Sequence, residues 1–196
     1  MKYIIMADGS GTRWNNYGNI PKHLLKIDGE TLLERTVRLL HEADPQGEII
    51  ITSHDPRYEV KHARRYEPKN NVLEIDRFTA ELIEDDIFFL YGDTYYTESS
   101  VKTILEAPAE ELLFFGNTKS IVAIKIRSSA CFKKHMENVR KLFLEGAIKG
   151  CKGWQVYQSY AGLEFDKKQI GPHFITIADD TQDYNTPQEF LASKKS

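Results

Sequence analysis

Short apolar runs of strand length recur along the chain, and segments with helical patterning separate them. This alternation constrains the fold most, because strands that alternate with helices pair in an α/β sheet whose faces the helices cover. The run Ile87–Leu90 is apolar throughout, as is typical of a central strand covered on both faces. The sequence therefore predicts an α/β fold. The predicted strands are Tyr3–Met6, Glu48–Thr52, Ile87–Tyr91, Leu112–Phe115, Ile121–Ile126 and Phe174–Ala178.

Three segments carry helix signals. Thr31-Leu32-Leu33-Glu34 is a capping box followed by apolar residues at helical spacing, which predicts a helix from about Thr31 to Ala43. A second helix is predicted from Leu73 to about Glu84. Thr186-Pro187-Gln188-Glu189 combines a capping threonine, a proline at the first helical position and a reciprocal glutamate. A last helix is therefore predicted to begin there and to end near Ser193.

The chain has the size of one ordinary domain, with 196 residues, and shows no repeat, low-complexity tract or linker that would divide it. One domain over residues 1–196 is therefore expected. Residues 146–173 contain several glycines and lack clear periodicity, which predicts an irregular region within that domain.

Composition and charge exclude several functional classes. No stretch approaches the roughly 20 apolar residues that a membrane span needs, and the net charge of −3 provides no basic field for nucleic acid. The apolar start is broken at Asp8, too early for a signal peptide, so a cytoplasmic protein is expected. Cys131 and Cys151 lack metal-ligand spacing and are expected to be unpaired thiols. Either a monomer or a homodimer is compatible with the sequence.

The first strand runs into Asp8-Gly9-Ser10-Gly11-Thr12-Arg13, a loop with the composition of a phosphate-binding segment. Glycine lets the chain turn with positive φ and leaves backbone N–H groups open to a phosphate. The dinucleotide-binding fingerprint needs a third glycine where this chain has Trp14, and the P-loop pattern with its lysine is absent from the sequence. The loop therefore predicts a phosphate site of another kind.

A longer pattern gives this loop a context. Gly9-Ser10-Gly11-Thr12-Arg13 is followed by Pro21-Lys22 and by Asp28-Gly29-Glu30 ahead of the first predicted helix. The pattern resembles the nucleotidyltransferase family, which includes nucleotide-sugar pyrophosphorylases, bacterial phosphocholine cytidylyltransferases and MobA-like NTP transferase domains. The resemblance extends from residue 9 to residue 189. It implies a Rossmann-like three-layer sandwich of the nucleotide-diphospho-sugar transferase (glycosyltransferase-A-like) type, with a mostly parallel central sheet.

The resemblance also implies a reaction, in which an NTP reacts with a phosphorylated small-molecule acceptor and pyrophosphate is released. Arg13 is then expected to bind the leaving pyrophosphate through its planar fork of donors. Lys22 is expected to place a compact charge near the α-phosphate. The residues expected to contact the nucleotide are Ala7, Asp8, Gly9, Ser10, Gly11, Thr12 and Asn71.

Two aspartates match the family's magnesium ligands. Asp93 follows the central strand at the carboxyl edge of the sheet, where ligands collect in open α/β folds. Asp183 begins a segment similar to the family's D-I-D-T-P-E-D-L ending, and Asn185, where that ending has its second aspartate, is a possible further ligand. Because magnesium fills most of its shell with water and phosphate, Asp93 and Asp183 would suffice to hold Mg²⁺.

Relatives usually have a small residue where this chain has Asp8, which either contacts the ribose or base or faces solvent. Cytidine is the first expectation for the base and uridine or thymidine the second. Paired asparagines like Asn70-Asn71 also occur in phosphocholine cytidylyltransferases, which favours that branch of the family, although asparagine also favours turns and helix starts for local hydrogen-bonding reasons.

The acceptor is expected to be phosphocholine-like or a sugar phosphate, bound by residues of about 94–128 and 146–173. Trp154, Tyr157 and Tyr160 form either an aromatic box for a quaternary ammonium or part of the core or of a lid. A role in cell-surface glycan biosynthesis follows from the resemblance. A glycosyltransferase of related fold remains an alternative, as does an inactive nucleotide-binding module, because Tyr95 and Asn185 stand where many relatives have carboxylates.

Overall fold

A computed structural model describes residues 1–9, 11–15 and 17–193 of the chain. Ser10, predicted to contact a nucleotide, lies outside the described residues, and so does the side chain of Thr12. The strands, in chain order, are β1 (Lys2–Met6), β2 (Lys26–Ile27), β3 (Glu30–Thr31), β4 (Glu48–Thr52), β5 (Arg64–Tyr66), β6 (Ile87–Tyr91), β7 (Thr94–Tyr95), β8 (Leu112–Gly116), β9 (Ile121–Ile126), β10 (Phe174–Thr176) and β11 (Gln182–Asp183). The α-helices are α1 (Leu32–Ala43), α2 (Glu98–Glu106), α3 (Ser129–Leu144), α4 (Gly153–Ala161) and α5 (Pro187–Ser193).

Seven strands form one central sheet in the order β10-β8-β9-β6-β1-β4-β5. β9 runs antiparallel to both of its neighbours, and the remaining pairs of the sheet are parallel. β6 lies in the middle, as its apolar sequence predicts. The structure therefore confirms the α/β fold with a mostly parallel central sheet.

Helices cover both faces of the sheet. On one face, α1 and α2 pack with Phe88 and Leu90 in a single buried cluster. On the other face, α3 and α4 pack with Ile87 and Phe89. Alternate residues of β6 point to opposite faces, so this one strand contributes to both cores and the molecule has three layers.

The strand predictions and two of the helix predictions are confirmed. All six predicted strands are present, although β10 ends at Thr176 rather than Ala178. α1 begins with the predicted capping box: Glu34 N donates to Thr31 Oγ1 at 3.1 Å, and Thr31 N donates to Glu34 Oε2 at 2.8 Å. α5 covers the predicted last helix.

The predicted helix from Leu73 to Glu84 is wrong. Two 3₁₀ turns, Glu74–Phe78 and Ala80–Leu82, take its place, with Thr79 between them in a left-handed conformation (φ 45°). The carboxylate of Asp76 captures two backbone N–H groups just before the first turn and pairs with Arg140 of α3. These tertiary contacts of an acidic residue outweigh the local helix pattern.

The irregular region predicted for residues 146–173 contains a helix, α4, which is a second correction. Trp154, Val156 and Tyr157 of α4 are buried against the sheet, so packing stabilises a helix that its weak periodicity does not reveal. Gly162 ends the helix in the left-handed conformation (φ 68°), a common helix terminator. A glycine that follows an apolar segment was the sequence signal that could have indicated the end of this helix.

Among the described residues, no helix combines the length and the apolar character needed to cross a membrane. Cys131 and Cys151 are both free thiols.

Tyr96 connects the end of the central strand β6 to the neighbouring strand β9 through hydrogen bonds. Its hydroxyl, wholly buried, donates to Val122 O of β9 at 2.5 Å and accepts from Tyr91 N of β6 at 3.0 Å. The Tyr96→Phe variant is expected to lose about 1–3 kcal/mol of unfolding free energy, because two buried backbone groups lose their partner. Urea denaturation measures the loss. Tyr17→Phe, at a residue that is 41% exposed, is the control, and equal midpoints for the two variants would contradict the prediction.

Candidate active site

The ends of β1 and β6 bring two predicted groups of residues together. The strands are parallel, with Met6 opposite Tyr91. Residues 8–13, which we call the glycine loop, follow β1, and Asp93 follows β6, so both segments leave the sheet at the same edge. A cavity of about 350 Å³ opens at this edge. Among the residues that line it are the predicted site residues Gly9, Gly11, Arg13, Lys22, Asp93, Asp183 and Asn185.

Gly92 makes the close approach of these two segments possible. Its N–H donates to Met6 O at 2.9 Å, and a Cβ at this position would lie 2.9 Å from that same oxygen. The Cβ would also lie 3.3 Å from the ring of His23. A residue without a side chain therefore lets Asp93 follow directly beside the loop that carries Lys22.

Lys22 and Asp93 form an ion pair at the cavity floor, between the ammonium Nζ and the carboxylate Oδ2. The two side chains are only 12% and 14% exposed. Burial raises the pKa of Asp93, but the charge and hydrogen bond of Lys22, the charge of His23 and a backbone hydrogen bond together hold the pKa below its usual range. The carboxylate is therefore ionised at neutral pH and is available as an oxygen ligand.

Asp183 lies beside Asp93, although 90 residues separate them in sequence. β11 pairs with β7 antiparallel, which places Asp183 opposite Thr94. Tyr184 N also donates to Asp93 O at 3.0 Å. This two-stranded sheet brings the C-terminal segment to the end of β6.

A chain of hydrogen bonds connects Asp183 to the glycine loop. Ser120 Oγ donates to Asp183 Oδ1 at 2.7 Å, and Asn185 Nδ2 donates to Asp183 Oδ2. Arg13 Nη2 in turn donates to Asn185 Oδ1 at 2.7 Å. Both ends of the Asn185 amide are engaged, so this residue positions Arg13 and Asp183 relative to each other.

The donor set at the sheet edge suits a hard cation. Asp93 and Asp183 offer carboxylate oxygens, the ligands that magnesium prefers, and magnesium completes its shell with water and phosphate. The described residues contain no group of three or more His, Cys, Asp or Glu side chains placed to enclose a metal. The two aspartates therefore fit an ion that a bound phosphate compound helps to hold.

A second cavity, of about 340 Å³, adjoins the other side of the glycine loop. Ala7, Asp8, Gly9 and Gly11 line it together with residues that follow β4. The side chain of Asp8 is only 10% exposed, so it does not simply face solvent. Gly9 and Gly11 line both cavities and thus lie between them.

Asp8 joins three segments at this second cavity. Its carboxylate accepts hydrogen bonds from His54 N at 3.0 Å and from Asn71 Nδ2 at 2.7 Å, and it lies 2.9 Å from His54 Nδ1. Asn71 Nδ2 also lies 2.8 Å from Asp8 O. Asn71, predicted to contact the nucleotide, is not among the described residues that line either cavity, and it contacts Asp8 instead.

Arg77 is a cavity residue that the sequence did not reveal. Its guanidinium carbon lies 3.4 Å from the position that a Cβ on Gly9 would occupy, so it fills the space beside the glycine loop. The nearest carboxylate, Glu74, is 3.6 Å away. Because the 3₁₀ turn that positions Arg77 was predicted as regular helix, no sequence signal placed it at this site.

The aromatic box predicted as one role for Trp154, Tyr157 and Tyr160 is not formed. Tyr157 is wholly buried, with its ring against those of Phe114 and Phe174. Trp154 lines the first cavity, whereas Tyr157 and Tyr160 are not among the described residues that line either cavity. Tyr157 therefore belongs to the core.

The sequence of residues 3–118 matches the MobA-like NTP transferase domain. The chain belongs to this family. The matched region begins in β1 and includes the glycine loop, Lys22 and Asp93, and it ends just after β8. No curated protein matches the chain at a significant level of sequence similarity.

Solved structures of nucleotidyltransferases share the fold of this NTP transferase domain. An inositol-1-phosphate CTP transferase from T. maritima is 11% identical with a TM-score of 0.57, over 96% of this chain and 90% of the other. A CTP:phosphocholine cytidylyltransferase from Streptococcus pneumoniae is 14% identical with a TM-score of 0.57, over 99% and 97%. A putative glucose-1-phosphate thymidylyltransferase from Bacillus anthracis is 13% identical with a TM-score of 0.61, over 100% and 94%.

Arg77→Gln is expected to weaken NTP binding about 10- to 100-fold, because a charge-assisted contact beside the glycine loop is worth about 1.5–3 kcal/mol. Isothermal titration calorimetry measures the dissociation constant. Arg127→Gln is the matched control, since Arg127 pairs with Asp86 and is not among the described residues that line either cavity. Equal affinities of the two variants would contradict the prediction.

His23 is expected to make stability fall with acidity. It is 4% exposed, its Nδ1 lies 3.0 Å from Tyr58 Oη, and burial lowers its pKa to about 4. Between pH 6.5 and 4 the unfolded chain binds a proton that the folded chain excludes, so stability decreases as pH falls through this window, by up to about 3 kcal/mol. Urea unfolding of parent and His23→Gln across this range should show a shallower pH dependence in the variant. Parallel profiles would contradict the prediction.

Proposed function

We propose that this NTP transferase domain is a magnesium-dependent nucleotidyltransferase, which transfers a nucleoside monophosphate from an NTP to a phosphorylated small molecule and releases pyrophosphate. One observation carries the proposal. Arg13, Lys22, Asp93 and Asp183 come from three segments, which are the connection after β1, the end of β6 and β11, and they line one cavity beside the glycine loop. Two cations and two carboxylates in that arrangement suit a triphosphate and a divalent cation.

The glycine loop and Arg13 bind the end of the triphosphate that leaves. Glycine at positions 9 and 11 lets backbone N–H groups approach the phosphates, with Gly11 in the left-handed conformation (φ 59°). Arg13 is held by Asn185, so its donors are oriented before the nucleotide binds. This preorganisation stabilises the charge that develops on pyrophosphate.

Lys22 acts at the reacting phosphorus. Its ammonium is fixed at the cavity floor by Asp93, next to the loop that binds the triphosphate. It neutralises charge on the α-phosphate as the acceptor oxygen attacks in line. Magnesium, held by Asp93 and Asp183 when bound, would supply further positive charge at the phosphates.

The proposed reaction needs no general base from the protein. A phosphomonoester has a second pKa near 6 and is largely ionised at neutral pH, so its oxygen is already a nucleophile. His23 directly follows Lys22, but burial keeps it neutral and its Nδ1 lies 3.0 Å from Tyr58 Oη. Positioning and charge neutralisation therefore account for catalysis.

CTP is the proposed nucleotide, ahead of UTP and dTTP, with the nucleoside in the second cavity. The carboxylate of Asp8 has about four acceptor positions, of which His54 and Asn71 occupy three. A remaining acceptor suits the exocyclic amine of cytosine and not the carbonyl at the same place in uracil or thymine.

The acceptor is proposed to be a sugar phosphate rather than a phosphocholine-like compound, because Tyr157 is not free to form a box around a quaternary ammonium. A cytoplasmic location and a role in building cell-surface glycans complete the proposal. They rest on the family resemblance alone.

Pyrophosphate release tests the proposal. The purified protein with each of the five common triphosphates, Mg²⁺ and a panel of sugar phosphates and phosphocholine is expected to release pyrophosphate with CTP and one acceptor, and EDTA should abolish the release. Asp93→Asn should lower kcat at least 100-fold, because the variant loses the carboxylate that both Lys22 and magnesium use. Lys133→Gln, on the exposed face of α3, is the control.

Two outcomes would overturn the proposal. Release that is unaffected by EDTA and by Asp93→Asn would exclude the assigned site. Magnesium-dependent nucleotide binding without release for any acceptor would favour an inactive nucleotide-binding module. Thermal unfolding of each variant separates loss of activity from loss of fold.

A further inference from the structure

One end of the first cavity is lined by lysines that the proposed chemistry at the α-phosphate does not use. Lys119 comes from the turn between β8 and β9, Lys152 is the residue that precedes α4, and Lys168 comes from the segment after α4. Lys168 Nζ donates to Lys119 O at 2.8 Å, which joins two of these segments. We call these three residues the lysine cluster.

The lysine cluster has little opposing charge. Lys119 and Lys152 have no ion-pair partner among the described residues. Of the carboxylates that line the same cavity, Asp93 pairs with Lys22 and Glu74 lies near Arg77, while Asp183 accepts hydrogen bonds from Ser120 and Asn185 and is a proposed magnesium ligand. This end of the cavity is therefore positive before any ligand binds.

The start of α4 adds to this positive end. The helix has nine residues, its N-cap residue Lys152 makes no side-chain capping bond, and Gly153 and Trp154 line the cavity with it. Unpaired N–H groups in a first helical turn favour an anion. Trp154 is 5% exposed, and its buried indole N–H has no hydrogen-bond partner among the described residues.

A cationic acceptor does not fit this environment. A quaternary ammonium needs free aromatic faces, but Lys168 Nζ already lies 5.4 Å from the centre of the Trp154 ring. The positive charges of the cluster would repel the ammonium group. A neutral sugar would leave Lys152 and the α4 terminus without a partner once the acceptor phosphate is bound.

We propose that the acceptor is a phosphomonoester that carries a second anionic group, and that Lys119, Lys152 and Lys168 bind this acceptor through its negative charges. Ser120 connects the cluster to the reaction centre, because it follows Lys119 directly and donates to Asp183. The inference rests on the proposed function, since it names the acceptor of that reaction. Acidic sugar phosphates and bisphosphates are therefore the expected acceptors within the broader class of phosphorylated small molecules.

A matched series of glucose derivatives tests the inference. The protein is first saturated with Mg²⁺ and α,β-methylene CTP, which cannot be cleaved at the α-phosphate, and is then titrated with glucose 1-phosphate, glucuronic acid 1-phosphate, glucose 1,6-bisphosphate or phosphocholine. The first three differ only at carbon 6, so they separate a carboxylate from a second phosphate. Glucuronic acid 1-phosphate and glucose 1,6-bisphosphate carry a second anionic group. At least one of these two compounds should bind at least 10-fold more tightly than glucose 1-phosphate.

Variants assign the preference to the cluster. Lys119→Gln/Lys152→Gln should reduce the preference to less than about threefold while nucleotide affinity stays unchanged. Lys133→Gln/Lys134→Gln removes the same amount of charge from the exposed face of α3, and this control variant should retain the preference. Equal binding of the three glucose phosphates, binding of none of them, or tighter binding of phosphocholine would overturn the inference. If the parent protein showed no magnesium-dependent nucleotide binding, this would instead overturn the proposed function on which the inference rests.

Discussion

The contact between Lys22 and Asp93 is the interaction on which the candidate site depends. It joins the loop after β1 to the end of β6, and both side chains are nearly buried. Removing one partner of such a pair leaves an uncompensated charge, at a cost of about 3–5 kcal/mol. The pair therefore specifies how the two segments meet, and a charged ligand entering the cavity encounters groups that are already fixed in place.

The sheet order decides which segments can share this contact. β1 and β6 are parallel neighbours, so their carboxyl ends meet at the edge where ligands collect in open α/β folds. The C-terminal segment reaches the same edge through the pairing of β11 with β7. Beyond it, the hydrogen bonds from Ser120 through Asp183 and Asn185 to Arg13 connect the two sides of the cavity, so the acceptor end and the triphosphate end share one rigid framework.

Prediction from sequence succeeded where the local signal and the packed structure agree. The apolar run of β6 and the capping box of α1 are strong local signals, and both elements have the expected bounds. Prediction failed between residues 73 and 84, where Asp76 binds backbone N–H groups and Arg140 of a distant helix. It also failed at α4, whose buried aromatic residues stabilise a helix only once the sheet is present beside them.

The sequence by itself determined the fold class, the glycine loop and the residue types of the candidate site, because strand periodicity and short motifs depend on neighbours along the chain. Arg13, Lys22, Asp93 and Asp183 could be named as candidates because their motifs resemble those of the nucleotidyltransferase family. Only the tertiary structure decided that Arg77 lies against Gly9 and that the lysine cluster gathers at one end of the cavity. Those residues belong to elements far apart in sequence, and side chains that meet only through packing of the sheet leave no pattern in the sequence.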